Sequence, residues 1–501
     1  MSDHPYRPAY HFTPARNWMN DPNGLVQHNG VYHLYFQYNP DGDLWGNMNW
    51  GHASSPDLVH WSEHPIAIAQ DDLEEIYSGS VVVDHANSSG FGFGEDPPLV
   101  AIYTSVYGDG LQAQSLAFST DAGMTWTKYA GNPVLDRSSN AFRDPKVSWY
   151  RPAEGPGYWV MAAVEAESRQ VVFYRSDDLK RWSHLSTFGP FDSFEQAWEC
   201  PDLFALPVDG DPHQTKWVLI VSVMPDRQIV GSATRYFVGD FDGTTFTATS
   251  PEGFRLLDFG PDLYASVTFD NAPDGRRILI GWMSNWNYAR TVPTFPWRGS
   301  MSLPRELTLA TVDGVVTLMQ KPVGELRALE QTTDGLSIET FDLDGIQEFE
   351  GGPHYRLDVG LEPVGANQFG LDLVVGADHR TRLRYDVSSG SLSLDRTRSG
   401  ETDFAPSFAS VNVAHVPLIN GAIHLQVYVD RTSVEVFAQG GAVCLTAQIF
   451  PKEGGCGVVL GSFGGTTRVR TFEWIPLTDA RAAARGVQPH PSSGAATTEV
   501  Q

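Results

Sequence analysis

The sequence predicts an all-β protein, a five-bladed β-propeller followed by a C-terminal β-sandwich. Three observations point there. Glycine (48 residues), proline (33) and aromatics (12%) are plentiful while charged residues make up only 19%, the balance of a turn-rich β-protein with little helix. A turn motif recurs at roughly 55- to 65-residue spacing, as expected of propeller blades. Beyond residue 336 that motif gives way to short alternating strands between Gly-rich turns, the pattern of a sandwich.

The repeat is an Asp-containing turn ending on an aromatic. Ser55-Pro56-Asp57-Leu58-Val59-His60-Trp61 returns as Ser119 to Trp126 and as Ser176 to Trp182, and more weakly as Gly239 to Phe246. Between copies lie apolar runs such as Val31–Phe36 and Trp159–Val164 that read as strands. Polar residues keep the same beat: Asp21, Ser80, Asp144, Glu199 and Tyr264 each fall near an early strand of successive units. The first strand of a propeller blade lines the central channel, so equal spacing along the chain becomes convergence in space. The expected division is propeller 1–318, connector 319–335 with a helix-prone Val323–Leu329, sandwich 336–478 and a disordered Ala/Ser/Pro-rich tail 479–501.

Composition narrows the partners. A formal net charge of −26 repels phosphate backbones, and no basic run carries interleaved aromatics, so no nucleic-acid partner is expected and a neutral ligand fits best. Three cysteines (Cys200, Cys444, Cys456) form neither a disulfide framework nor a CxxC metal site; no metal or cofactor is expected. No run approaches membrane length and Met1–Pro5 lacks a signal-peptide start. The sequence as it stands reads as cytoplasmic, or as secreted if a presequence has been removed.

Chemistry concentrates in three motifs. Trp18-Met19-Asn20-Asp21-Pro22-Asn23-Gly24 sets a carboxylate beside amide donors, at the end of a short strand next to an Asn-Gly turn. Phe142-Arg143-Asp144-Pro145 pairs an arginine with an aspartate, and Trp198-Glu199-Cys200-Pro201-Asp202 places a glutamate between an aromatic and a thiol. Alone, each is an ordinary turn or strand.

Together, in this order and spacing, they resemble glycoside hydrolase family 32, the invertases, exo-inulinases and levanases. The likeness extends through His52–Trp61, Tyr77-Ser78-Gly79-Ser80, Asp262-Leu263-Tyr264-Ala265, Pro296-Trp297-Arg298-Gly299 and Asp430–Phe437. It implies a five-bladed propeller with a sandwich, and a retaining β-fructofuranosidase acting on sucrose or β-fructans. In that scheme Asp21 is the nucleophile and Asp144 the transition-state stabiliser kept ionised by Arg143. Glu199 is the acid/base kept protonated by its apolar neighbours. The resemblance places sugar contacts on Asn20, Gln37, Trp45, Ser80 and Arg143, Tyr264 near the acid/base, and Trp297 near the mouth as an acceptor platform. Glu195 is a second acid nearby without the Cys-Pro-Asp context. A fructosyltransferase of the same fold, a non-catalytic sugar-binding propeller and another five-bladed glycosidase such as an arabinanase stay open as alternatives.

Overall fold

The computed structural model describes residues 4–190, 196–225, 231–250 and 255–481; Glu195 and the tail beyond 481 lie outside them. From Asn17 to Pro322 the chain forms a ring of five antiparallel blades. Blade I comprises Asn17–His28, Val31–Asn39, Asn49–Ser55 and Ser62–Ile68. Blade II comprises Glu74–Val83, Leu99–Tyr107, Gln112–Ser119 and Thr127–Lys128. Blade III comprises Phe142–Tyr150, Tyr158–Glu165, Gln170–Ser176 and Ser183–Phe188. Trp198–Val208, Asp211–Val223, Ala233–Phe241 and Phe246–Ala248 form blade IV. Tyr264–Thr268, Ile278–Trp282, Arg305–Val312 and Val315–Pro322 form blade V. The outermost strand thus runs to Pro322, past the boundary expected at 318, and the connector opens with a 3-10 turn at Gly324–Leu329.

The recurring turn joins the third and fourth strands of its blade, and its residues explain the repeat. Asp57 Oδ1 accepts the Val59 and His60 amides at 3.0 and 2.8 Å, and the Trp61 indole donates to the Leu58 carbonyl at 3.0 Å. Trp126 and Trp182 repeat the indole bond at 3.2 and 2.9 Å. The aspartate satisfies the turn and the tryptophan pins it back on the blade.

Hydrophobic cores lie between blades rather than inside them. Separate clusters fill the I–II, II–III, III–IV and IV–V gaps. A fifth, built on Trp18, Tyr264 and Trp282, joins blade V to blade I. The ring closes there, where Asn17 and Trp18 pair in parallel with Trp297 and Arg298.

Every inner strand carries a one-residue bulge near its start, and that of blade I a second between Asn23 and Val26. Register slips between Met19 and Pro22, Ile76 and Gly79, Arg143 and Lys146, Glu199 and Asp202, and Tyr264 and Val267. Proline is tolerated at three of these bulges (Pro22, Pro145, Pro201) because an inner strand is a sheet edge and can spare an N–H there. The expected turn at Asp21-Pro22-Asn23-Gly24 is therefore a bulged stretch inside a 12-residue strand. Gly24 is required there: its φ is +52°, and a Cβ would meet Tyr35 at 2.7 Å and Val81 at 2.8 Å.

From Leu336 to Pro476 the chain forms the sandwich, its faces packed around one apolar core. The 20-residue strand Gly457–Pro476 pairs with Gln368–Val375 along its first half and with Tyr355–Pro363 along its second, so it serves both layers. Buried ion pairs weld the domains. Arg305 reaches Asp258 at 3.0 Å and Glu435 at 2.6 Å, His11 bridges Asp430 and Glu435 at 2.8 and 2.9 Å, and Arg396 meets Asp262 at 2.5 Å. The tail expected to be disordered from 479 docks at its start, Ala480 N–H donating to the Ala9 carbonyl at 3.1 Å. All three cysteines are free thiols.

Candidate active site

The bulges decide which side chains enter the funnel. A regular strand sends alternate residues to opposite faces, whereas a bulge lets neighbouring positions share one side. Counting from the residue that opens each bulge, Glu199 is the first position in blade IV, Asp144 the second in blade III, and Asp21 the third in blade I.

Asp21 is buried, with Oδ1 accepting Asn20 Nδ2 at 3.0 Å and Oδ2 accepting Ser78 Oγ at 2.8 Å. Asn20 is itself oriented by the Trp18 indole, 2.7 Å from its Oδ1. Asn23 does not serve Asp21 as expected; its Oδ1 accepts the Gly79 amide at 3.3 Å. Asp144 accepts the Cys200 amide at 2.9 Å, and its own N–H donates to Thr104 Oγ1 at 3.0 Å. The Cys200 thiol stands between the two aspartates, 3.6 Å from Asp21 and 3.7 Å from Asp144. Burial pushes that thiol's pKa well up, so it stays a donor.

Glu199 has different company from that expected. Trp198 turns into the III–IV core and Cys200 faces the aspartates, because residues adjacent on a strand diverge. Glu199 Oε1 instead accepts Arg143 Nε and Nη2 at 3.1 and 2.8 Å, and Oε2 accepts the Tyr264 hydroxyl. Arg143 was expected to hold Asp144; its nearest approach there is 3.9 Å, and its fork is spent on Glu199. Burial disfavours the cation, yet Glu199 and Asp144 keep the guanidinium charged. Burial raises the Asp21 carboxyl to about 6, with Glu199 adding to the shift and Ser78 and Asn20 opposing it. Burial raises Asp144 too, Arg143 opposing while Glu199 and Asp21 add. The Glu199 charge thus pushes both aspartates toward protonation, and Asp21 adds to the effect on Asp144.

This arrangement, a bulged Asp-Pro, an Arg-Asp-Pro and a Glu-Cys-Pro on consecutive channel strands, coincides with what sequence comparison finds. Residues 11–322 match the glycosyl hydrolases family 32 N-terminal domain and residues 322–476 its C-terminal domain. The chain belongs to glycosyl hydrolase family 32. Among this family-32 chain's relatives, the levanase of Bacillus subtilis (strain 168) is 44% identical over 486 residues, covering 95% of this chain and 71% of that one. The extracellular exo-inulinase inuE of Aspergillus niger is 41% identical over 506 residues, covering 93% of each. The crystal structure of exo-inulinase from Aspergillus awamori superposes with a TM-score of 0.89 at 38% identity, over 96% of this chain and 100% of that one. The β-fructofuranosidase of Schwanniomyces occidentalis complexed with fructosyl-erythritol gives 0.86 at 33%, over 94% and 98%.

Not every expected contact of the family-32 chain reaches the funnel. Ser80 does not: its hydroxyl donates to the Pro145 carbonyl at 2.8 Å and accepts the Val147 amide at 3.0 Å, bracing blade II on blade III. The bulge shifts the channel-facing serine to Ser78. Trp297 is 1% exposed, with the Arg7 guanidinium 3.5 Å over its ring and His4 edge-on at 5.5 Å, so it is an interdomain packing residue and not a platform. Gln37 is buried, its Nε2 donating to the Ile76 carbonyl at 3.0 Å. Trp45, by contrast, is 37% exposed and stands edge-on to Tyr77 at 5.9 Å. The sequence reading missed Trp286, half-buried and stacked on Trp18 at 6.0 Å, whose indole N–H has no partner among the described residues. The tryptophan pair in Gly281-Trp282-Met283-Ser284-Asn285-Trp286 was the available signal.

Proposed function

We propose that the chain is a retaining β-fructofuranosidase that releases terminal fructosyl units from sucrose, levan or inulin through a fructosyl-Asp21 ester. One observation carries the reading: Asp21, Asp144 and Glu199 meet at one funnel mouth, with Cys200 between the aspartates and Arg143 and Tyr264 gripping Glu199. The names of the relatives, levanase, exo-inulinase and β-fructofuranosidase, supply the substrate class.

Asp21, ionised above about pH 6, attacks the anomeric carbon as the glycosidic bond breaks. Glu199 is the most open of the three carboxylates and gives its proton to the leaving oxygen. It then takes a proton from a water that cleaves the ester, restoring the starting configuration. Asp144, one oxygen on the Cys200 amide, holds ring hydroxyls and stabilises the cationic transition state. Asn20 and Ser78 aim Asp21, and Trp45 and Trp286 wall the sugar. An acceptor sugar replaces water when concentrated, resting on the open Trp45.

The test is product analysis on sucrose, levan and inulin with Asp21→Asn, Asp144→Asn and Glu199→Gln, each expected to lose several orders of magnitude in kcat. Azide should restore turnover to Glu199→Ala on an activated fructoside and leave Asp21→Ala inert. A variant retaining a tenth of wild-type kcat removes that residue from the machinery.

A further inference from the structure

The opposite end of the propeller holds a second cavity, of about 530 Å³. It lies where the inner strands of blades II, III and V end, beside Val83, Trp149 and Asp270. Along the blade III strand, Trp149 is roughly 16 Å below Asp144. The channel between them is plugged: Lys146 meets Asp202 at 3.3 Å and the Thr268 carbonyl, and Thr268 N and Oγ1 bond Asp202 Oδ2 at 2.7 and 2.8 Å. The base cavity is no extension of the catalytic funnel.

Its wall combines a fixed aromatic with unspent polar groups. Trp149 is 38% exposed, yet its ring is held edge-on by Trp159 at 4.8 Å, whose indole is anchored on Ser88 Oγ at 2.9 Å. Gly157 makes room for that ring, since a Cβ there would meet it at 2.6 Å. Across the cavity, Asp270 is locked to blade I through its backbone, and its Oδ2 accepts the Val83 amide at 3.3 Å. Among the described residues its Oδ1 accepts no hydrogen bond and the exposed Arg151 donates none. Asn271 Nδ2 is tied to the Gln27 carbonyl at 2.9 Å, and its Oδ1 faces His85 Nε2 at 3.3 Å.

We propose that this base cavity binds a sugar unit of a neutral fructan, holding a second segment of the polymer while its end enters the funnel. A sugar ring offers one apolar face for Trp149 and a rim of hydroxyls that both donate and accept, which matches a wall carrying an acceptor (Asp270) and a donor (Arg151). A carboxylate in the wall opposes an anionic ligand, and so does the overall charge of −26. A wholly apolar ligand would leave Arg151 and Asp270 Oδ1 desolvated without hydrogen-bond partners. Two sites on one chain raise the effective concentration of polymer without any new catalytic contact. The choice of fructan rests on the proposed activity.

The experiment is electrophoresis of the full chain through gels containing levan or inulin, in an Asp21→Ala background so that the polymer survives. Adding Trp149→Ala should weaken the retardation about fivefold, the effect of one lost aromatic contact, while Trp149→Phe retains most of it. Arg151→Ala, on an exposed side chain that threatens no packing, should weaken it as well. Retardation indifferent to both Trp149→Ala and Arg151→Ala, or no retardation of the Asp21→Ala chain, overturns the proposal. Fructose release by the wild type from sucrose reads the catalytic proposal separately.

Discussion

Ser78→Ala isolates the electrostatics of the proposed nucleophile. The Ser78 hydroxyl donates to Asp21 Oδ2 at 2.8 Å and, with Asn20, counters the burial that raises this carboxyl to about 6. A hydrogen bond to a charged group contributes roughly 1.5 to 3 kcal/mol, and one pH unit corresponds to about 1.4 kcal/mol. Deleting the donor leaves the carboxylate less stabilised than the acid, so the pKa moves up by about 1 to 2 units. Nucleophilic attack needs the ionised form, hence the acid limb of kcat/KM moves from about pH 6 toward 7 or 8. Near pH 6 the variant should run about tenfold slower than wild type, and well above pH 8 the two should converge. The assay is fructose release from sucrose at low concentration, across pH 4.5 to 9. An acid limb that superposes on that of the wild type would falsify the claim that Ser78 tunes Asp21.

Asp21→Asn should abolish activity yet raise the melting temperature at neutral pH. A carboxyl whose folded pKa is raised stabilises the fold only while protonated, and that contribution is lost as pH climbs through about 6; a lower melting point contradicts this. Trp297→Ala should cost about 3 to 5 kcal/mol in denaturant unfolding and leave the ratio of transfer to hydrolysis alone, since Trp297 is buried under Arg7. A changed ratio at unchanged stability would return it to the acceptor site. Burial lowers His33 to about 4 and His52 to about 2, so both stay neutral in the fold and charge on unfolding. Stability should then fall as pH drops below about 6.5, by about 1.4 kcal/mol per unit for each ring. His11, raised to about 9 by Asp430 and Glu435 against burial, gives the opposite edge, its contribution fading as pH rises from about 6.5 through 9. Melting curves across pH 4 to 10 should trace this dome, and a curve flat on the acid side would discount the histidines.

The fold was legible because its repeat has a local cause. The Asp57, Asp121 and Asp178 turns satisfy their own backbone within a few residues, so the motif shows in the sequence without tertiary knowledge. The three carboxylates were legible as well, each sitting in a motif whose proline marks an edge strand. What escaped was register. Equal spacing put Ser80 in line with Asp21, but a one-residue bulge reassigns the facing side chain, and the sequence does not announce on which residue it falls. Partner choice escaped for a related reason. Arg143 adjoins Asp144 in sequence yet bonds Glu199 from the next blade, and Trp297 sits in a motif near the mouth while facing a domain interface.

The five bulges also divide each inner strand between two tasks. At the slip, neighbouring positions such as Arg143 and Asp144, or Glu199 and Cys200, both reach the funnel, while Met19, Ile76 and Phe142 beside it turn into the seams between blades. The ring therefore carries a polar collar on an apolar barrel. Tyr264 and Cys200 belong to both, packed in the seam between blades V and I while touching the carboxylates, so a substitution at either changes chemistry and stability together.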